Sequence, residues 1–138
     1  MLFDIPNNEL FDIPGNMFTD KNLESPQDGL KKGNMFSYEY VPYKKYTCFD
    51  IRPDSEKSAM LLEIMSYSFA INDLNLYLDL HEDDNEMYRL FKLYVKKEMD
   101  LEEEYVKKYG PLCIKDVGSK FDWVSKKWAW DNGGVDYV

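Results

Sequence analysis

The chain has 138 residues, 44% of them hydrophobic and 31% charged, which suits one folded domain with its flanks and not a disordered polymer. A net charge of -9 withholds the basic face that nucleic acid or an anionic membrane needs, and no run of eighteen apolar residues offers a bilayer span. Two cysteines, Cys48 and Cys113, are too few for a disulfide framework and read as thiols in a reducing compartment; no secretion signal is visible.

Residues 1–53 open with LFDIPNNELFDIPGNMF, a phrase that says LFDIP twice, and its Gly15-Asn16-Met17-Phe18 returns as Gly33-Asn34-Met35-Phe36. Five of the six prolines lie at or before Pro53, and the spacing of apolar residues matches neither the helix nor the strand period. This predicts an irregular, aromatic-rich strap. Its expected anchors for pockets on a partner or on this chain are Phe3, Phe11, Met17, Phe18, Met35, Phe36, Pro42 and Tyr43. Proline lowers the entropy cost of ordering such a strap.

Residues 54–110 contain no proline and no glycine until Gly110, and they carry 14 acidic against 7 basic residues when counted from Pro53. Pro53, Asp54 and Ser55 give a helix start signal, with Glu56 in the first turn. At 100° per residue, Met60, Ile64, Tyr67, Ile71, Leu74 and Leu78 share one face of this first long helix. Leu62, Met65, Phe69, Leu76 and Leu80 share the opposite face, so the helix is expected to be covered on both sides. Asp83 and Glu86 fit a capping box for a second helix, whose single stripe runs Met87, Leu90, Phe91, Tyr94, Leu101 and Tyr105. Gly110 suits a left-handed helix end and Pro111 forbids continuation. The expected fold is mainly α: a long antiparallel helical hairpin with the irregular strap before it.

Residues 111–138 form a tail in which Trp123, Trp128 and Trp130 stand among lysines. Each ring buries a large area with few rotors, so the three are candidate partner anchors or lids for the hairpin's second face.

Catalytic parts are scarce. The stretch Asp79 to Asp84 gathers the only histidine, His81, with four acids, yet it has neither metal-ligand spacing nor the glycine of a hard-cation loop. Favourable helix dipoles explain its charges more simply. Asp73 and Glu98 are acids near apolar stripes, each open to a catalytic reading or to a hydrogen-bonded, seam-edge one. No Ser–His or Cys–His set and no phosphate-cradling loop is present, so the expectation is a protein that is not an enzyme and holds no cofactor or metal.

The stretch Phe69 to Tyr94, FAINDLNLYLDLHEDDNEMYRLFKLY, followed by Tyr109-Gly110-Pro111-Leu112 and the Trp-rich Trp123 to Trp130, resembles the JB component (CotJB) of the CotJ spore coat proteins of endospore-forming bacteria. The likeness runs from about Ala59 to Trp130, and Glu82 departs from it where the family pattern has a proline. Residues 25–46, SPQDGLKKGNMFSYEYVPYKKY, are similar to the sibling JA component through Gly33, Phe36, Pro42 and Tyr43. The resemblance implies a structural protein of the spore coat, made in the mother-cell cytoplasm, that assembles with the JC component, a manganese-catalase-like protein. A second copy of the chain is a further candidate partner. The alternative reading is a cytoplasmic adaptor or inhibitor that docks a helical hairpin on an enzyme.

Overall fold

The computed structural model describes residues 23–39, 44, 48, 50–121, 123 and 124. Three α-helices follow in chain order: α1 (Pro26–Lys32), α2 (Glu56–Leu80) and α3 (Asn85–Tyr109). The two long helices have 25 residues each and pack on one another, with α1 laid against α2. The described part of the molecule is therefore a helical hairpin with a short helix strapped to it.

Local chemistry sets the ends of the hairpin. Ser55 caps α2 in a reciprocal arrangement: its hydroxyl accepts the N–H of Ser58 at 3.2 Å, while the Ser58 hydroxyl accepts the N–H of Ser55 at 2.9 Å. Asp54 accepts the Ser58 hydroxyl at 2.7 Å, and the hydroxyls of Ser58 and Ser55 hold its carboxyl below the usual carboxylate range. At the turn, the cap of α3 is Asp84 and not the expected Asp83; Asp84 Oδ1 accepts the N–H of Met87 at 3.1 Å. The two acids are adjacent, and the turn residues His81–Asp83 fix which of them reaches the exposed amides. α3 stops at Gly110, where φ is 113° and ψ is 178°. The positive φ is open to glycine, but the extended ψ is what the following proline demands in place of the expected left-handed turn. The start of α2 and the end of α3 are tied by an ion pair between Glu56 and Lys108.

The seam follows the expected face. Ile64 and Leu74 are buried, with Tyr67, Ile71 and Leu78 half-buried beside them, against Met87, Leu90, Tyr94, Leu101 and Tyr105 of α3. Fully burying one such side chain stabilises the fold by about 1.5–3 kcal/mol, so this seam carries most of the hairpin. Tyr67 and Tyr94 meet edge to face at 5.5 Å, and burial pushes both hydroxyls above the ordinary tyrosine value. The Tyr94 hydroxyl is buried without a hydrogen-bond partner among the described residues.

Two expectations are corrected. The segment 1–53 is not irregular throughout, because Pro26–Lys32 is a helix with every end signal present. Ser25 accepts the N–H of Asp28 at 3.2 Å, Pro26 opens the first turn, Lys31 and Lys32 close the last, and Gly33 takes the left-handed conformation at φ 73°. Seven residues are too few for periodicity to reveal it. The second correction concerns α2. The described part of the strap does not cover the whole stripe opposite α3: it lies on a strip between the two faces that includes Ala70, Asp73 and Tyr77, and of the opposite stripe only Phe69 packs against the core cluster that holds Met35 and Phe36. Small and polar residues there give no hydrophobic signal. Met65, Leu76 and Leu80 are 38%, 56% and 83% exposed.

Candidate functional site

The strap meets the hairpin through the phrase Gly33-Asn34-Met35-Phe36. Gly33 ends α1, and the N–H groups of Gly33 and Asn34 both return to the carbonyl of Gly29, at 2.8 and 3.1 Å. The Asn34 side chain then accepts the N–H of Phe36 at 2.8 Å, a local turn typical of asparagine. These bonds aim two consecutive side chains into the hairpin. Met35 is 0% exposed and Phe36 is 5% exposed. The Phe36 ring stacks on Tyr77 with centroids 5.1 Å apart and planes 26° apart.

Asp73 is the acceptor that fixes this arrangement. Its Oδ2 takes the backbone N–H of Met35 at 2.8 Å, across 38 residues of chain. A charged acceptor makes a bond of this kind worth about 1.5–3 kcal/mol when partly buried. The unexpected acid in the α2 stripe is thus a latch for the strap. Gly29 completes the seat: a methyl at its Cα would lie 2.3 Å from the Met35 sulfur, so no side chain fits while Met35 is in place. The Met35 carbonyl also accepts the N–H of Glu24 at 2.8 Å, so the segment is held on both edges. Outer ion pairs join Lys32 to Glu24 at 2.6 Å and Lys31 to Asp50 at 2.9 Å. The bond to Lys31 is the main reason the Asp50 carboxyl sits below its ordinary value.

The turn end of the hairpin is the second feature. Tyr77 donates its hydroxyl to Asp84 Oδ2 at 2.9 Å, and the exposed His81 ring packs on Tyr77 at 4.3 Å. With Asp79, Leu80, Glu82 and Asp83 these residues line an open depression of predominantly acidic character. Among the described residues, no group of three or more His, Cys, Asp or Glu is placed to hold a metal ion. No helix among them is long and apolar enough to cross a membrane.

Of the expected partner anchors, Met35 and Phe36 lie in this chain's own core, brought together against α2, and Trp123 is half-buried. Phe3, Phe11, Met17, Phe18, Pro42, Tyr43, Trp128 and Trp130 lie outside the described residues. Glu98 is half-buried on α3, and Cys48 and Cys113 are both exposed and not joined to each other. Sequence reasoning flags Asp73 without finding its partner and misses Gly29. An acid in an apolar stripe is the only signal for the first; the second has none, because the clash that demands glycine is with a side chain six positions on.

The described residues thus form a helical hairpin with a buried strap latch, exposed Met65, Leu76 and Leu80 on one side of α2, and an acidic turn. The family model described as CotJB protein matches residues 58–131, which is 74 of 138 residues and takes in α2 from Ser58 onward and all of α3. The chain belongs to the CotJB family, and is a spore coat-related protein. No curated protein and no solved structure gives a significant match.

Proposed function

We propose that this chain is a structural and interaction component of the spore coat that assembles with the manganese-catalase-like JC component and performs no chemistry of its own. What carries the reading is the family match, which falls on the hairpin and reaches into the Trp-rich tail. The exposed positions Met65, Leu76 and Leu80, beside an acidic turn, supply surface for packing in a layered assembly. In this reading the protein is made in the mother cell and deposited on the forespore. Residues 25–46 stand in for the JA component on the same polypeptide, and Trp123, Trp128, Trp130 and the anchors Phe3, Phe11, Met17, Phe18, Pro42 and Tyr43 extend the contact area, whereas Met35 and Phe36 are spent on this chain's own core.

Affinity purification of the full tagged chain from sporulating cells tests the proposal. The expected result is recovery of the catalase-like protein, and of the chain itself in coat extracts of purified spores. Abundance in vegetative cells with absence from spores would sink the coat assignment. Recovery in spores without the catalase-like protein would sink the partner alone. Removal of residues 1–20 should weaken that recovery; unchanged recovery with unchanged thermal stability removes the strap from the interface.

A further inference from the structure

Away from its seam with α2, α3 presents a second stripe. Tyr88, Lys92, Val95, Met99, Glu102 and Val106 follow one another at intervals of four, three, four, three and four residues, the a/d spacing of a two-stranded helical seam. At 100° per residue this stripe lies about 120° round the helix from Met87, Leu90, Tyr94, Leu101 and Tyr105, which face α2. None of the six belongs to either core cluster, and Tyr88 and Met99 are 44% and 47% exposed. The charges of α3 are sorted along its length. Residues 89–97 hold Arg89, Lys92, Lys96 and Lys97 with no acid, and residues 98–104 hold Glu98, Asp100, Glu102, Glu103 and Glu104 with no base. This sorting sets Glu98 four residues from Glu102, a repulsion that opposes a lone helix; burial first, then Glu98 and Asp116, raise the Glu102 carboxyl. Lys92 rests over the Tyr88 ring at 4.8 Å, and neither Lys92 nor Glu102 has an ion-pair partner among the described residues.

We propose that this stripe of α3 pairs with the same stripe of a second copy of the chain, antiparallel, about a two-fold axis level with Lys97. In that register Tyr88 meets Val106 of the second copy, Val95 meets Met99 and Lys92 meets Glu102, and the symmetry makes each contact twice. The basic block 89–97 lies along residues 97–105 of the second copy, where the acids are, and Glu86 comes level with Lys108. On the outer flank Lys96 and Lys107 are already paired with Asp100 and Glu103 of their own helix, so they do not oppose the match. A parallel pair would set Lys92 on Lys92 and Glu102 on Glu102. The occupant is a second copy because the stripe is complementary to its own reversal: read backwards, it places apolar opposite apolar and base opposite acid at all six positions. Self-pairing uses only this chain's own residues, so its failure would leave the coat assignment standing.

Analytical ultracentrifugation of the full chain at low salt tests the pairing. Wild type is expected to dimerise, and to dissociate as salt is raised. Lys92→Glu and Glu102→Lys each bring like charges together twice and should weaken the dimer about tenfold or more. Both side chains lie outside the core clusters, so the fold should survive, and circular dichroism of each variant separates lost pairing from lost folding. The chain carrying both reversals should dimerise as wild type does, and so should an equimolar mixture of the two single variants. Positions 92 and 102 are about 15 Å apart along one helix, so this rescue cannot arise within a single chain. A wild type that stays monomeric at low salt would overturn the proposal. Dimers unmoved by either reversal, or reversals that do not rescue one another, would overturn it as well.

Discussion

Gly29 and Met35 are predicted to show opposite-sign coupling, because one atom of each competes for the same space. Met35→Ala removes a fully buried side chain, and such deletions cost about 2–5 kcal/mol with partial collapse of the cavity. Gly29→Ala in the native background gains about 1 kcal/mol of helix propensity. It also forces a methyl to 2.3 Å from the Met35 sulfur, and overpacking of that kind costs about 1–3 kcal/mol. The single substitution should therefore be neutral to destabilising by up to about 2 kcal/mol. In the Met35→Ala background the clash is gone and the new methyl fills part of the void. Gly29→Ala should then stabilise by about 1.5–2 kcal/mol, the propensity gain plus about 0.8 for one buried carbon. The coupling between the two sites is thus about 1.5–4 kcal/mol, well above the scatter of independent sites. Urea unfolding of the four proteins, followed by circular dichroism, measures it. If the two substitutions add to within about 0.5 kcal/mol, Met35 does not rest on Gly29 and the seat described above is wrong.

Three further outcomes follow from named contacts. Asp73→Ala should lower stability by about 1.5–3 kcal/mol and speed exchange of the Met35 amide, while Asp73→Asn, which keeps an acceptor, should cost less; unchanged exchange in both would remove the latch. Tyr94→Phe should raise stability by about 1 kcal/mol, seen as a higher unfolding midpoint, since it deletes a buried hydroxyl with no partner among the described residues; a lower midpoint would mean the hydroxyl is bonded. The Glu56–Lys108 pair lowers the Glu56 carboxyl and raises the Lys108 amine. A lowered acid stabilises the fold above its ordinary value of 4.5 and loses that contribution as pH falls through the lower folded value. Wild type should therefore outlast Glu56→Gln at neutral pH and low salt, and the gap should close on acidification; a gap that widens in acid would contradict the pairing.

What is legible in the sequence is what is decided within a few residues. Pro53-Asp54-Ser55 and Gly110-Pro111 bracket the hairpin because caps and breakers act locally, and the face Ile64-Tyr67-Ile71-Leu74 is continuous enough to identify the α3 seam. The destination of Met35 and Phe36 is not legible, since it depends on an acceptor 38 residues away and on the missing side chain of Gly29. The strip of α2 that receives them includes Ala70 and Asp73, and a pattern scored by hydrophobicity passes over both. The shift of the α3 cap by one residue has the same cause: two neighbouring aspartates are chemically alike, and only the turn geometry chooses between them.

Tyr77 has a mechanical consequence. Its ring lies against Phe36 of the strap and His81 of the turn, and its hydroxyl holds the carboxylate that caps α3. One side chain therefore rivets the strap to the joint of the hairpin. Tension applied to the strap is therefore shared between the Asp73 latch in the body of α2 and the Tyr77 contact at the joint. Loosening the strap therefore also loosens the corner between α2 and α3, because the same ring that receives Phe36 holds the carboxylate that caps α3.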